Sequence, residues 1–428
     1  MASDYSAARQ EFVDKINAGV SLGIPFIQKR VNLGKNAINE ESRSNGVITL
    51  FVPAGGTGGV EALTDGNGPI ANALDRTNDT DKANSSYYKV ECHAHNGWEL
   101  VQRTALEKIF QIGKIRENIV QPRINHMVHS INRDLVTRNV FKAGGVCIAG
   151  SSELGFIAMD KAVATLESVK ATGSWTGFVS PLLKSRLGTG AAKKNGGFDV
   201  PDEVLKDIYG KRSIGVFAGT DWVNEPFLPK FKTGALNATD TASNGVKVSA
   251  KVSKQGATEI SITGLTSGTI KAGTPFTIEG VYDVTITGLK MDWLKTFVVQ
   301  NDVAIEGSGA TTVEVLPIYF NDDTKGYQNN VFVAGSEISA NAVVKGLAVA
   351  NGSYDIAFIK EDEAFNWTPF SLEDVDGAVN TTSETEDISV QLVSGGNLLK
   401  RTNMMRLDSP YFGDIVDPRL CRLVYVQE

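Results

Sequence analysis

The stretch Ile119–Phe141, IVQPRINHMVHSINRDLVTRNVF, decides how the rest of the chain is read. Apolar side chains recur at Ile124, Met127, Val128, Ile131, Leu135, Val136 and Val140. Steps of three and four give the period of an α-helix with one apolar stripe. Pro122 stands near the start, where its missing N–H costs nothing and its fixed φ suits a first turn. Ala143-Gly144-Gly145 supplies the stop. A helix of about 20 residues spans roughly 30 Å. A second periodic run, Ala105, Leu106, Ile109, Phe110, Ile112 and Ile115, predicts a short helix feeding the long one. Strand-like segments flank the pair on both sides. The long helix therefore reads as a spine on which they pack.

A chain of 428 residues predicts two or three domains rather than one core. The hydrophobic share of 42% is that of a globular protein. A net charge of −7 argues against nucleic acid as the main partner, because phosphate binding needs a basic face. Cys92, Cys147 and Cys421 are odd in number and far apart, which speaks against a disulfide framework and suits a reducing cytosol. The opening MASDYSAARQEF has neither the basic nor the apolar region of a signal peptide. No apolar run approaches the ~18 residues of a membrane span.

Taken in order, residues 2–20 predict an amphipathic helix with Ala7, Phe12, Val13, Ile16 and Val20 on one face. Ile24-Pro25-Phe26-Ile27 reads as an extended apolar piece. Val47–Pro53 reads as a strand. From Ala54 to Ser86 apolar periodicity is lost in a Gly-, Asn-, Asp- and Thr-rich run, which predicts a projecting loop. Tyr87–His95 alternates and reads as the returning strand. Phe156–Val169 reads as a helix, and Ser180-Pro181 as a cap and first residue of another. Pro201–Tyr209 has a similar Pro-led start. Val246–Val252, Thr258–Thr263, Thr274–Tyr282, Thr296–Gln300 and Thr311–Tyr319 are short Thr/Val/Ile-rich segments, the pattern of a small antiparallel barrel or sandwich. Ser336–Ala350 reads as an Ala/Val helix. Tyr354–Ile359 and Ile388–Val393 read as strands. The end predicts an aromatic turn at Tyr411-Phe412-Gly413, a break at Pro418, and a strand Cys421–Val426 pairing with the strands beside the long loop.

This order of parts resembles the major capsid (coat) proteins of tailed bacteriophages, with the HK97-like fold. It is similar in detail to the short-tailed Salmonella phage coat type, which carries an inserted β-barrel. The local matches are PFIQKRVN at 25–32, IYGKRSIGVFAGTDWVNEPFLPKFKTG at 208–234 and RLDSPYFGDIVDPRLCRLVYV at 406–426. The resemblance covers most of the chain and implies an α+β fold. It divides the chain into an N-terminal arm (1–46), peripheral-domain strands with the extended loop (47–98) and the spine region (99–144). A first axial part (145–233), the inserted β-barrel (234–333), a second axial part (334–400) and a peripheral terminal strand (401–428) follow. It implies a virion shell protein made in the bacterial host cytoplasm, with no enzymatic activity and no cofactor. Its partners would be copies of itself in hexamers and pentamers, scaffolding and portal proteins, and packaged genomic double-stranded DNA bound without sequence preference. No membrane is implied.

The residues themselves offer little chemistry. His93 and His95 share a strand face, and His126 and His129 a helix face. Two ligands each is too few for a closed metal site, and interface or exposed positions read better. Gly55-Gly56-Thr57-Gly58-Gly59 lacks the Lys-Ser/Thr of a phosphate loop. No Ser stands in a nucleophile context. Arg123, Arg133 and Arg138 lie off the apolar stripe, on a solvated face or toward DNA. The candidate subunit-interface residues are Phe12, Ile16, Pro25, Phe26 and Ile27 in the arm, and Gly56, Gly59, Asp65, Asp75 and Arg76 in the loop. An arm too short for its own core must dock, and a neighbouring subunit is the better surface. On that reading Phe26→Asp leaves a folded subunit that cannot close shells. The competing classes are a cytosolic or surface binding module with a carbohydrate-binding-like insert, and a hydrolase. Both predict small species in gel filtration, whereas a shell protein gives megadalton particles.

Overall fold

The computed structural model describes residues 2–27, 30–33, 35, 46–53, 87–104, 121–150, 155–170, 172–192, 214–239, 245–307, 309–321, 329–397 and 402–428. The expected loop at 54–86, the short helix at 105–115, the Pro-led start at 201–209, and with them Gly56, Gly59, Asp65, Asp75 and Arg76, lie outside those residues.

The fold is mixed α+β. Among the described residues four α-helices form: α1 (Ala2–Gly23), α2 (Gln121–Asn139), α3 (Gly155–Val169) and α4 (Pro181–Ala192). The spine is α2, and its stripe is buried as its spacing requires: Ile124, Met127, Ile131, Leu135, Val136 and Val140. Helix α1 buries Val13, Ile16, Asn17 and Val20. The cap at α4 forms as read, with Ser180 Oγ accepting from the Leu183 N–H at 3.1 Å.

One antiparallel sheet takes the order β1 (Val47–Pro53), β2 (Tyr87–Thr104), β20 (Thr402–Ile415), β19 (Ser389–Asn397), β18 (Val379–Glu384), with β17 (Phe365–Pro369) also on β20. A second, mixed sheet takes the order β3 (Val146–Ala149), β21 (Cys421–Gln427), β16 (Ser353–Glu361), β4 (Trp175–Val179), β6 (Thr220–Asn224), β5 (Gly215–Phe217). Strand β7 (Lys230–Lys232) also pairs with β16. Period-two alternation sorts β16 and β21 between two cores. Tyr354, Ile356, Phe358, Leu423 and Tyr425 face the main core with α1 and α2. Ala357, Ile359, Val424 and Val426 face a core with α3 and α4.

Between β7 and β16 lie β8 (Lys247–Val248), β9 (Ala257–Thr263), β10 (Thr269–Ile270), β11 (Pro275–Val284), β12 (Lys290–Val298), β13 (Val303–Ala304), β14 (Thr311–Ile318) and β15 (Val344–Gly346). They form two three-stranded sheets and a two-stranded one. Residues from Leu236 to Val344 share a hydrophobic core of their own.

Two glycines set how closely the layers approach. A Cβ on Gly97 would meet Ile131 Cγ1 at 2.5 Å, so only a bare backbone lets α2 lie on β2. A Cβ on Gly144 would meet the Pro418 carbonyl oxygen at 2.4 Å, the same oxygen that accepts from the Gly144 N–H at 2.7 Å. Gly97→Ala is expected to cost about 1–3 kcal/mol by overpacking. The measurement is urea unfolding, with Gly97→Ala/Ile131→Ala losing less than the sum of the single variants if the clash is the cause.

Several sequence expectations are corrected. Ser336–Ala350 is not helical: Ser336 and Asn341 sit at φ of 53° and 66°, and Val344–Gly346 pairs with β11. Tyr411-Phe412-Gly413 is no turn but mid-strand in β20, where a Gly413 Cβ would meet Leu135 Cδ2 at 2.8 Å. The terminal strand β21 pairs with β16 and β3, and it is β20 that pairs with β2. The turn at Pro418–Leu420 therefore sends the chain from one sheet to the other. Pro25–Ile27 is a 3-10 turn rather than extended. Strand β2 runs past His95 to Thr104, and β12 lies at Lys290–Val298, mostly before the expected Thr296–Gln300.

Candidate functional site

The arm is buried in its own chain. Ile16, Phe26 and Ile27 are at most 1% exposed, while Phe12 and Pro25 are half-buried. Phe26 stacks on Phe178 with centroids 4.6 Å apart and meets Phe365 edge-on at 5.0 Å. The buried Lys360 ammonium lies 5.9 Å from the Phe26 ring centre, over the negative face of the ring system. Polar stitches hold the arm to β18 and the turn between β18 and β19: Asn17 Nδ2 donates to the Ser383 and Ile388 carbonyls at 2.9 and 3.0 Å, and Ser21 Oγ to Asp387 at 3.0 Å. Arg30 also pairs with Asp387, pulling that carboxyl below its usual range. The apolar surface that seemed to need a neighbour is thus covered within the chain.

The uncovered apolar surface lies elsewhere. Gly97 faces α2, so the alternate residues Trp98 and Leu100 of β2 point away from it. Register places Asp408 opposite Trp98, Arg406 opposite Leu100 and Met404 opposite Gln102, on the same outer face. Trp98 is 58% exposed, Leu100 47% and Met404 37%. The Arg406 guanidinium lies over the Trp98 ring at 5.9 Å and pairs with Asp408 at 2.8 Å, a polar border to the patch. Nearer the other end of the sheet this face is covered, with Ile48, Leu50, Cys92, Phe370 and Phe412 in a small core. The signal was present in HNGWELVQ at 95–102, whose alternation continues the strand beyond His95.

One histidine of each pair lies at the β2–α2 seam, while His93 and His129 do not line it. His95, Glu99, His126, Asp134 and Tyr411 line a cleft of about 620 Å³. His126 Nδ1 lies 2.6 Å from Glu99, which Arg123 also contacts, and His95 lies 3.7 Å from Asp134. Burial and Arg138 push the His95 imidazole down, outweighing the pull of Asp134. Burial works to raise Asp134, yet its bonds from Arg138 and Tyr411 hold it below the usual carboxylate range. His129 lies edge-on to Phe227. Among the described residues no cluster of three or more His, Cys, Asp or Glu is placed to hold a metal ion. Arg138 pairs with Asp134 and Asp414, and Arg133 is exposed. Burial pushes the Cys92 thiol up to about 12 and Cys147 and Cys421 upward too, which disfavours the nucleophilic thiolate.

A second polar seam joins the β8–β15 block to the rest. Asp283 accepts from Lys295 Nζ at 2.8 Å and Arg422 Nη2 at 3.2 Å, all three buried. Arg419 donates to the Asn329 carbonyl at 3.2 Å, and Tyr425 OH to the Gly273 carbonyl at 2.6 Å. Beside this seam Lys142–Gly144, Asp414–Arg419, Lys295–Val298 and Leu316–Tyr319 line a cavity of about 450 Å³.

No protein-family model and no curated protein matches the chain. Solved structures to which the chain is similar include an acid-stable capsid structure of Helicobacter pylori bacteriophage KHP30, at 8% identity and a TM-score of 0.41, covering 94% of this chain and 91% of that one. A capsid structure of the cyanophage P-SCSP1u gives 9% identity and 0.41, over 88% and 83%. A chain of Mycobacterium phage Che8 gives 8% identity and 0.38, over 92% and 91%. No helix among the described residues is long and apolar enough to cross a membrane.

Proposed function

We propose that the chain is a bacteriophage shell subunit, non-enzymatic, many copies of which join as hexamers and pentamers around packaged double-stranded DNA. The observation that carries the reading is the uncovered face of β2 and β20, with Trp98, Leu100 and Met404 exposed beside one another. Contiguous apolar surface with a polar border marks a protein-binding face. A second copy is the occupant that a shell supplies. The order of parts in the sequence supports the same reading, and scaffolding and portal proteins would be its further partners. Arg123 and Arg138 are engaged in ion pairs, so the non-specific DNA contact that the resemblance implies would fall to the exposed Arg133 or to residues elsewhere. The loop candidates Gly56, Gly59, Asp65, Asp75 and Arg76 keep their proposed role at subunit contacts. The inserted domain we place at 234–346 rather than ending at 333, since Ile338 and Val344 belong to its core and β15 to its sheet.

Sedimentation of the purified chain tests the proposal. Megadalton particles are expected for the wild type. Trp98→Ser/Leu100→Ser should keep its circular dichroism, because both side chains already meet water and no charge is placed opposite Asp408, and should sediment as small species. A wild type that stays small at all concentrations, or a variant that still closes particles, overturns the reading.

A further inference from the structure

Glu225 follows β6 directly and is fully buried. Its own N–H donates to the Val179 carbonyl at the end of β4, at 2.9 Å. Asn132 Nδ2, on the buried side of α2, donates to both of its carboxylate oxygens, at 3.0 and 2.9 Å. The Phe227 N–H donates to Oε1 at 3.0 Å. All the donors are neutral. The groups facing it are few. From α2 come Asn132 and, a turn earlier, His129, whose ring meets Phe227 rather than the carboxylate, at a centroid distance of 5.3 Å. Arg133 is exposed. From β4 comes a backbone carbonyl followed by Ser180. Among the described residues no charged side chain contributes to the carboxyl's surroundings, and burial pushes it upward against the bonds from Phe227 and Asn132.

The Asn132 amide is only half used. Its Oδ1 is buried and has no hydrogen-bond partner among the described residues. Both ends of an amide have nearly the same shape, so a half-turn about its last torsion exchanges them. After that half-turn an oxygen stands 2.9 Å from Glu225 Oε2 in place of the nitrogen. It can then accept a proton carried on Oε2, while Oε1 keeps its bond from Phe227. The ionised carboxylate wants the nitrogen end, and the neutral acid wants the oxygen end.

We propose that Glu225 and Asn132 form a proton-operated lock between the spine helix α2 and strand β6 of the second sheet, with the amide turned one way when the carboxyl is protonated and the other way when it is ionised. The lock is independent of the shell reading. Because the folded chain holds the proton more tightly than the unfolded chain, the stabilisation is full below the ordinary glutamate range. It is lost as pH rises through the folded-state titration. The β6–α2 seam weakens with rising pH.

The test uses the full chain. The wild-type thermal midpoint should fall as pH rises through the carboxyl's titration, and Glu225→Gln should lack that part of the fall. Amide hydrogen exchange over Val223–Leu228, corrected for its intrinsic pH dependence, should follow the same pattern. An unchanged pH slope in Glu225→Gln overturns the proposal. Asn132→Leu removes a donor to the ionised form and should move the fall to higher pH; an unmoved fall removes Asn132 from the lock. A readout that needs no change at 225 is infrared spectroscopy with labelled glutamate in a Glu361→Gln background, since burial pushes Glu361 up as well. A protonated-carboxyl band should persist above the pH at which exposed glutamates ionise, and its absence overturns the proposal.

Discussion

Phe26→Asp is expected to abolish cooperative folding rather than to leave a folded, assembly-dead subunit. The ring is 1% exposed and packed between Phe178, Phe358 and Phe365. Truncating a buried Phe to Ala costs about 3–5 kcal/mol through lost transfer energy and the cavity left behind. A carboxylate there must also give up its hydration, which is expensive without full pairing. Lys360 stands 5.9 Å from the ring centre and would answer part of that charge, so Phe26→Ala is the cleaner measure of packing. Against a total stability of about 5–15 kcal/mol, either change is large. The measurement is urea unfolding followed by circular dichroism, with the soluble fraction recorded. A Phe26→Asp chain with the wild-type midpoint would return the arm to the role of an inter-subunit clamp.

The second large effect is expected at Asp283. Its carboxylate answers Lys295 and Arg422 in a buried seam, and removing it takes away the anion that the two cations share. Breaking a buried pair from one side costs about 3–5 kcal/mol. Asp283→Ala should therefore lower the unfolding midpoint strongly, and Asp283→Asn less, because the amide still accepts a hydrogen bond. The pH dependence has a definite sign. Burial works to raise Asp283, but Lys295 and Arg422 outweigh it and hold the carboxyl below its ordinary value. Its contribution is present above the unfolded value near pH 4 and is lost as pH falls through the folded one. Asp283→Ala should flatten that part of the acid limb. A variant with the wild-type midpoint and acid limb would show that packing alone joins the insert to the rest.

What could be read locally was local in its physics. The α2 stripe, the α1 face and the Ser180-Pro181 start rest on contacts three or four residues apart, so spacing alone announces them. The alternation at Ala257–Thr263 and Thr311–Ile318 is likewise written within each segment. The misreadings that moved whole segments turned on long-range choices, unlike the local 3-10 turn at Pro25–Ile27. Alternation in Cys421–Val426 says that a strand forms, not which of two sheets takes it, and the turn at Pro418 settled that. The run at 336–350 has helix-forming residues, yet its Val344 found a partner in β11, and tertiary pairing overrode propensity. The apolar arm demanded a cover, but apolarity does not say whose surface supplies it: Phe178, Phe358 and Phe365, all more than 150 residues later in the chain, were already there. Equally, Trp98 and Leu100 look like ordinary strand residues until Gly97 is seen against Ile131, which fixes the face they present to water. Periodicity depends on neighbours along the chain and belongs to the sequence. Partner choice and exposure depend on which distant surfaces meet, and only the folded chain decides them.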